Sequence, residues 1–560
     1  MSVNPERKSP TEALDLKRSM DDTWAGKCPV DKTTYPYFNP NYRLPFTHIG
    51  TDKQLFLDNF ILADFVNVKR VVVRPNKLNP PLIRFSNLPW ERYHWTCVCA
   101  AALKDPDDGL FKMWYKTLVS GNTNSPKGTL VVLCYAESED AIHWTKPLRS
   151  DCQPFENETK TNIVLTDFDN GTLVLNPDRN DPNKKFLAIY NPGAEAFRCK
   201  ERVMSRVAAS PDGIHWSIIS DNTPFRHHHQ MRVIWDTSLK KWRGYSQHSH
   251  AWSHNHLRTI GLQESEDFIN WSPKKVILSS EWDPNLGPNV ELHTMSIRKE
   301  GGLYIGIVDE AHGEHQWLLN IDGSNQHDQF HTKAALYVSR NGTNFVRADG
   351  YQPWCDNDEP GSQDYGYSCH SVAGFLLHNG QMVIPYSAFP YKQRDTRPTG
   401  LANHVPAASA QASSEHVEAL TRHGIGNPMM NKVRTELPLQ RGIGGLVLRE
   451  DGWAKLKPTY EKGQVYTTQF VFEGDSLKIN AECDYGFIRV EILDPKFKPY
   501  KGFSIQECDP IHAPKDQIWH TVTWLGKTKV HTLWNKPVRL CFHLLEANLY
   551  AFQFFYSEFE

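Results

Sequence analysis

Ser138-Glu139-Asp140-Ala141-Ile142-His143-Trp144, Ser210-Pro211-Asp212-Gly213-Ile214-His215-Trp216, Ser265-Glu266-Asp267-Phe268-Ile269-Asn270-Trp271 and Ser339-Arg340-Asn341-Gly342-Thr343-Asn344-Phe345 are four versions of one pattern. Each follows a β-rich run, at residues 131–136, 203–209, 259–263 and 334–338. An Asp or Asn in the third place can cap its own turn backbone, and Gly or a small residue in the fourth tolerates a positive φ. The closing aromatic folds back onto the strands. Such a unit is the outer turn of a β-blade, and the four predict one blade per repeat, with blades longer than those of the WD class. Strand signal before the first repeat, in residues 54–115, and after the last, in residues 371–386, completes a fifth blade. Lys112-Met113-Trp114-Tyr115 and Val383-Ile384-Pro385-Tyr386 are its clearest pieces.

The texture changes after Gly452, where short alternating strands and turns predict a compact β-sandwich. The expected fold class is therefore all-β, a five-bladed β-propeller followed by a small C-terminal β-sandwich. The expected divisions are an N-terminal extension at 1–50, the propeller at 51–392, an insertion or lid loop at 393–440, and a closing strand with the sandwich at 441–560. The run 402–414 is small and polar, and the best helical signal falls at 413–422. A loop of that length is expected to border the pocket.

Bulk composition narrows the function. Of the 560 residues, 39% are hydrophobic and 22% charged, ordinary for a soluble globular protein. The net charge of −2 calls for neither nucleic acid nor an anionic membrane surface. Aromatics reach 12%, with 17 Trp, which suits a β-rich core or a pocket that stacks flat rings. No apolar run has the length of a signal core or a membrane span, so a cytoplasmic location is expected. The 11 Cys are scattered without CxxC pairs and read as buried free thiols.

Further motifs appear in order along the chain. They are Leu55-Phe56-Leu57-Asp58-Asn59, Asn79-Pro80 running to Trp90-Glu91, Met113-Trp114-Tyr115, Arg449-Glu450-Asp451-Gly452 and Leu549-Tyr550-Ala551-Phe552-Gln553-Phe554. With the turn repeats, they resemble the glycosidase-like five-bladed propeller proteins distantly related to the invertase, levanase and arabinanase group. The resemblance spans residues 54–554 and implies a site at the mouth of the central channel, built from inner-strand acids. The acids to examine are Asp58, Glu91, Asp178, Asp236, Glu291 and Asp364. Glycoside cleavage needs two carboxylates. Asp58 matches the family's first-blade acid, and Glu291 matches a blade acid able to donate a proton. The family's second-blade Asp-Pro is replaced by Asn176-Pro177, and an amide is neither a general acid nor an anionic nucleophile.

Histidine is dense at the centre, in His227-His228-His229 and again in residues 248–256. Without interleaved Cys or carboxylates, these read as pocket-rim hydrogen-bonding groups or as solvated loop histidines, with no metal expected. No phosphate cradle, nucleophile elbow or cofactor fingerprint is present, so no cofactor is expected. The architecture is also similar to fungal secondary-metabolism proteins that catalyse hetero-Diels–Alder reactions in tropolonic sesquiterpene biosynthesis. That similarity implies a cofactor-free cyclase joining a tropolone quinone methide to a humulene-type terpene. Glu291 and His293, with Asp58, would be its catalytic groups. Trp90, Glu91, His228, His248, Trp252, Arg258, Tyr365 and Tyr367 would bind substrate, Trp354 joining the aromatic wall. The alternatives are a glycoside hydrolase and a non-catalytic carbohydrate-binding propeller. In each case the partner is a small molecule.

Overall fold

The computed structural model describes residues 47–84, 88–91, 98–120, 129–192, 204–225, 231–249, 258–286, 290–312, 331–357, 364, 367–369, 373–389, 442–514 and 517–557. They are strands and turns with a few 3-10 turns and no α-helix, and no helix among them could cross a membrane.

Five antiparallel sheets form the blades of a propeller. The inner strands of the first four are Val98–Lys104, Phe168–Leu175, Met231–Asp236 and Val290–Glu300. In the fifth, the order outward is Tyr367–Cys369, Gln381–Phe389, Gly442–Arg449, then the N-terminal strands Asn76–Lys77 and Ile83–Arg84. Residues 54–115, expected to help complete the fifth blade, are thus divided. Leu62–Val66 and Val68–Val72 join the C-terminal sheet, residues 76–84 close the fifth blade, and Val98–Lys104 opens the first. Closing the ring with its own N-terminal segment covers the edge of Gly442–Arg449 at the join.

Both faces of the blade strands are apolar because each blade packs on two neighbours. Phe186, Ala188 and Tyr190 of one strand face the first blade with Trp114 and Tyr135. The alternating Leu187 and Ile189 face the third, with Trp242 and Phe268. Similar clusters fill the other seams, so the hydrophobic core is a ring of five interblade layers.

The four repeats form equivalent turns. Ser138, Ser210, Ser265 and Ser339 lie opposite the first residue or two of their blade's second strand, next to the first hairpin. Asp212 Oδ1 accepts from the backbone N–H groups of Ile214 and His215, and Asp140, Asp267 and Asn341 do likewise. The fourth residue has positive φ in every copy, at Ala141, Gly213, Phe268 and Gly342. Phe268 departs from the expected small residue. Its ring is buried between Trp242 and Trp271, and that packing compensates the backbone strain.

At the other end of the blades, every connection between second and third strands lies outside the described residues, as do residues 393–440 and 413–422. The long strands Ser476–Leu493 and Arg539–Phe555 organise the C-terminal sandwich around Phe470, Ile479, Val490, Phe542 and Phe552. Thr47–Gly50 adds to it in parallel with Phe470–Phe472.

Candidate acid–base site at the loop end of the channel

Height along a blade can be counted on its second strand from the row of the turn serine. Glu291 pairs with Ala311, seven residues from Tyr304, which pairs with Ser339. Asp169 pairs with Asn191, five residues from Phe186, which pairs with Ser210. Both acids therefore stand near the loop end of inner strands, within two rows or roughly 7 Å in height at ~3.3 Å per residue.

Glu291 is 1% exposed at the start of the fourth inner strand. Its Oε2 lies 3.0 Å from His293 Nε2 and 3.4 Å from Arg258 Nε, which begins the third blade's third strand. Arg258 Nη1 is 3.3 Å from the same His293 nitrogen. The register shift between Leu292 and Thr294 lets Glu291 and His293 converge. Gln247 Nε2 donates to the His293 carbonyl at 3.0 Å and ties the strand to the third blade. Burial, then the Arg258 charge, pushes His293 below the ordinary imidazole range, while Glu291 pulls the other way. Arg258 can only donate and an ionised carboxylate can only accept. His293 Nε2 therefore satisfies one of them at a time, and the proton on that nitrogen is the movable element of the cluster.

Asp169, 6% exposed, lies on the second inner strand. Lys116 Nζ, from the first blade, is 2.6 Å from its Oδ1, and Asn170 Nδ2 donates to its Oδ2 at 3.1 Å. Arg232, on the third inner strand, crosses to the first blade, with Nη1 3.4 Å from the Ala100 carbonyl. It sits lower, opposite Tyr245, three residues from Trp242 in the row of Ser265.

The remaining expected site residues are distributed elsewhere. Asp58 receives both Arg340 Nε and Nη2 at 2.8 Å. Arg340 follows the fourth turn serine, whose row lies seven rows, or roughly 23 Å in height, from Glu291, so Asp58 is held at the turn end. The expectation that Asp58 shares the channel mouth is corrected. It joins the sandwich side of the chain to the fourth turn. Asp178 is exposed in the second blade's hairpin, and Asp236 is paired with Lys299 and Tyr304 at the turn end. Trp90 is 1% exposed in the seam between fifth and first blades, its Nε1 donating to Asn162 Oδ1 at 2.9 Å. Glu91 beside it receives Tyr115 Oη at 2.7 Å and Lys146 at 2.9 Å. Trp354 stacks on Trp453 in the last seam. The expected placement of Trp90, Glu91 and Trp354 at the pocket is thereby corrected: interblade packing is what buries them. Asp364 is fully buried against Lys77 and Tyr386. His248 lies next to Gln247 on the strand that pairs with Arg258's strand, its carbonyl accepting from Thr259. Tyr367 begins the fifth inner strand. His228, Trp252 and Tyr365 lie outside the described residues.

The sequence reading passes over Asp169, in Phe168-Asp169-Asn170-Gly171-Thr172. The second-blade acid was sought at Asn176-Pro177, which the structure places in the hairpin at the opposite end. The available signal was positional, since Asp169 follows an apolar residue at the start of an inner strand, as Glu291 follows Val290.

Fold and side chains together define a five-bladed propeller with two buried inner-strand carboxylates, Asp169 and Glu291, and an Arg258–Glu291–His293 cluster near the loop end of its blades. No family model and no curated protein matches the chain. Solved structures do, at low similarity. A glycoside hydrolase is 13% identical with a TM-score of 0.40, covering 60% of this chain and 95% of its own. An N-acetylgalactosamine deacetylase from F. plautii, solved with blood group B trisaccharide, is 14% identical with a TM-score of 0.35, covering 73% and 97%. A family 117 glycoside hydrolase from the marine bacterium Zobellia galactanivorans is 10% identical with a TM-score of 0.32, covering 59% and 85%.

Proposed function

We propose that the protein hydrolyses a glycosidic bond at the loop end of its channel, with Asp169 and Glu291 as the paired carboxylates. The observation that carries this reading is their common placement: both are buried near the loop end of inner strands, on non-adjacent blades. Glycoside hydrolysis asks for two carboxylates that approach one bond from different sides. Glu291 and His293 form the proton-exchanging pair that serves the leaving oxygen, and Asp169 acts on the anomeric side with Lys116 as its counter-charge. Arg258 orients Glu291 and presents N–H groups to a sugar hydroxyl. Wild-type protein should release sugar from a panel of aryl glycosides and oligosaccharides. Asp169→Asn and Glu291→Gln should each reduce kcat by ~10²–10⁴-fold, the usual contribution of an acid–base group. Full-rate turnover in either variant removes that residue from the mechanism.

A second reading is supported by the Arg258–His293–Glu291 contact. A guanidinium beside a proton-exchanging pair can polarise a carbonyl while assisting loss of water. That is what a cofactor-free cyclase acting on a tropolone quinone methide requires. Its aromatic wall would have to come from residues other than Trp90 and Trp354. Adduct formation from a tropolone precursor and humulene, with no sugar released from any glycoside, would replace the hydrolase by this reading.

A further inference from the structure

The outer face of the C-terminal sandwich carries a cluster that the channel chemistry does not use. Lys462–Thr467, Arg539–Phe555 and Ser476–Leu493 lie side by side, with Tyr466, Cys541 and Glu491 in one row. Gln464, His543 and Arg489 form another row. The intervening Val465, Phe542 and Val490 point inward and are fully buried in the core. Strand alternation therefore places the polar set together on the opposite face.

Three different donor types converge there. His543 Nε2 is 2.7 Å from Glu491 Oε2 and 3.4 Å from Cys541 Sγ, and the three donor atoms lie within 4.8 Å of one another. In a nucleophilic relay the thiol and the acid use different ring nitrogens. Here both address Nε2, while Nδ1 faces Gln464 Nε2 at 3.2 Å. Convergence on one nitrogen is the arrangement of ligands around a shared centre. Further hydrogen bonds hold these side chains in position. The Ile505 N–H anchors the other Glu491 oxygen at 3.2 Å, and Tyr466 Oη donates to Gln464 Oε1 at 3.2 Å. The Cys541 side is fully buried, while the Glu491 and His543 side chains are 13% and 18% exposed, which leaves an entry path.

The geometry points to a binding site for a borderline-soft divalent cation of the zinc type, with Cys541, His543 and Glu491 as ligands. Ligand bonds of ~2.0–2.3 Å to a tetrahedral ion set neighbouring donors roughly 3.3–3.7 Å apart. The Cys–His spacing already meets this, and the His–Glu contact must open by about 0.6 Å. On binding, the Cys541 thiol releases its proton to solvent and Glu491 binds as a carboxylate. The His543 proton moves to Nδ1 and is donated to Gln464 Oε1 after the amide turns over. Water supplies the fourth position. Three protein ligands of mixed charge balance the dication, and thiolate with imidazole selects this class over magnesium or calcium.

Cobalt(II) titration of the metal-stripped full chain tests the site. The expected result is a thiolate-to-cobalt charge-transfer band in the near ultraviolet that saturates at one equivalent and is displaced by zinc. Cys541→Ser should abolish that band, and His543→Gln and Glu491→Gln should weaken cobalt binding by ~10-fold or more. Cobalt held by the histidine-rich segments would absorb without a thiolate band and would persist in Cys541→Ser. Circular dichroism first establishes that each variant is folded. If Cys541→Ser is not, the partly exposed His543→Gln and Glu491→Gln variants decide the matter. Absence of the band in wild type, its survival in Cys541→Ser, or unchanged affinity in both exposed-ligand variants would overturn the site.

Discussion

His293 shows how much one buried ring nitrogen can organise. It is 6% exposed and meets a guanidinium and a carboxylate through the same Nε2. Its folded pKa lies below 6.5 because burial, then Arg258, disfavours the cation. The unfolded chain therefore binds more protons as pH falls through 6.5, and the stability this residue contributes is present above that pH and lost below it. His293→Gln should flatten the slope of unfolding free energy between pH 7 and 5, read by urea denaturation at each pH. The same substitution removes the ring nitrogen that exchanges a proton with Glu291. kcat should then fall by ~10²-fold or more, with KM changing less.

At the scale of the element, the repeat turns do more than reverse the chain. Trp114 Nε1, in the first blade, donates to the Gly213 carbonyl in the second blade's turn at 2.7 Å. Tyr245 Oη, in the third, donates to the Gly342 carbonyl in the fourth at 3.0 Å. The turn is thus a latch between neighbouring blades. Gly213 has φ +83, and a Cβ there would lie 2.4 Å from Trp114 Cζ2. Gly350 has φ +63 with nothing within 4 Å of the added carbon. Gly350→Ala should cost about 1 kcal/mol, from backbone strain alone. Gly213→Ala should cost about 2–4 kcal/mol, because the indole must also move. Equal losses in chemical denaturation would remove the latch from the account.

At the scale of the whole molecule, ion pairs join propeller and sandwich. Lys53 bridges Glu300 of the fourth inner strand at 2.9 Å and Asp451 of the turn after the fifth blade at 2.8 Å. Arg449, ending that blade, reaches Asn480 Oδ1 at 2.9 Å and the Ala481 carbonyl at 2.8 Å in the sandwich. Burial raises Asp451 to about 6, against the pull of Lys53 and with the help of Glu300. Between pH 4 and 6 the folded state binds the extra proton, so Asp451's contribution is largest at low pH and is lost as pH rises through 6. Asp451→Asn should remove that downward slope, on the order of 1–3 kcal/mol across the window. A Tm-versus-pH profile identical to wild type would place the titration elsewhere. Asp58→Ala should lower Tm without reducing kcat, since its Arg340 partner lies at the turn end, far from Glu291.

The sequence by itself determined the blade turns and, through their spacing, the propeller. Their chemistry closes within three residues, as Asp212 to His215 does, so nothing distant is needed to read it. Glu291, His293 and Arg258 were legible as candidates because residue type and strand start are local properties. Tertiary structure alone decided which of them meet. Arg258 reaches Glu291 across a blade boundary, and Lys116 reaches Asp169 across another. Ring closure drew residues 76–84 onto Gly442–Arg449 and sent the preceding strands into the sandwich. It also buried Trp90 and Trp354 in seams, where composition alone suggested a pocket wall. The physical reason is that a turn is stabilised by its own backbone hydrogen bonds, whereas a side chain's role in a closed ring depends on which neighbouring blade faces it. Two strand positions of the same apolar–acidic pattern can end as a channel carboxylate or as a seam ion pair, and only the packing of the next blade distinguishes them.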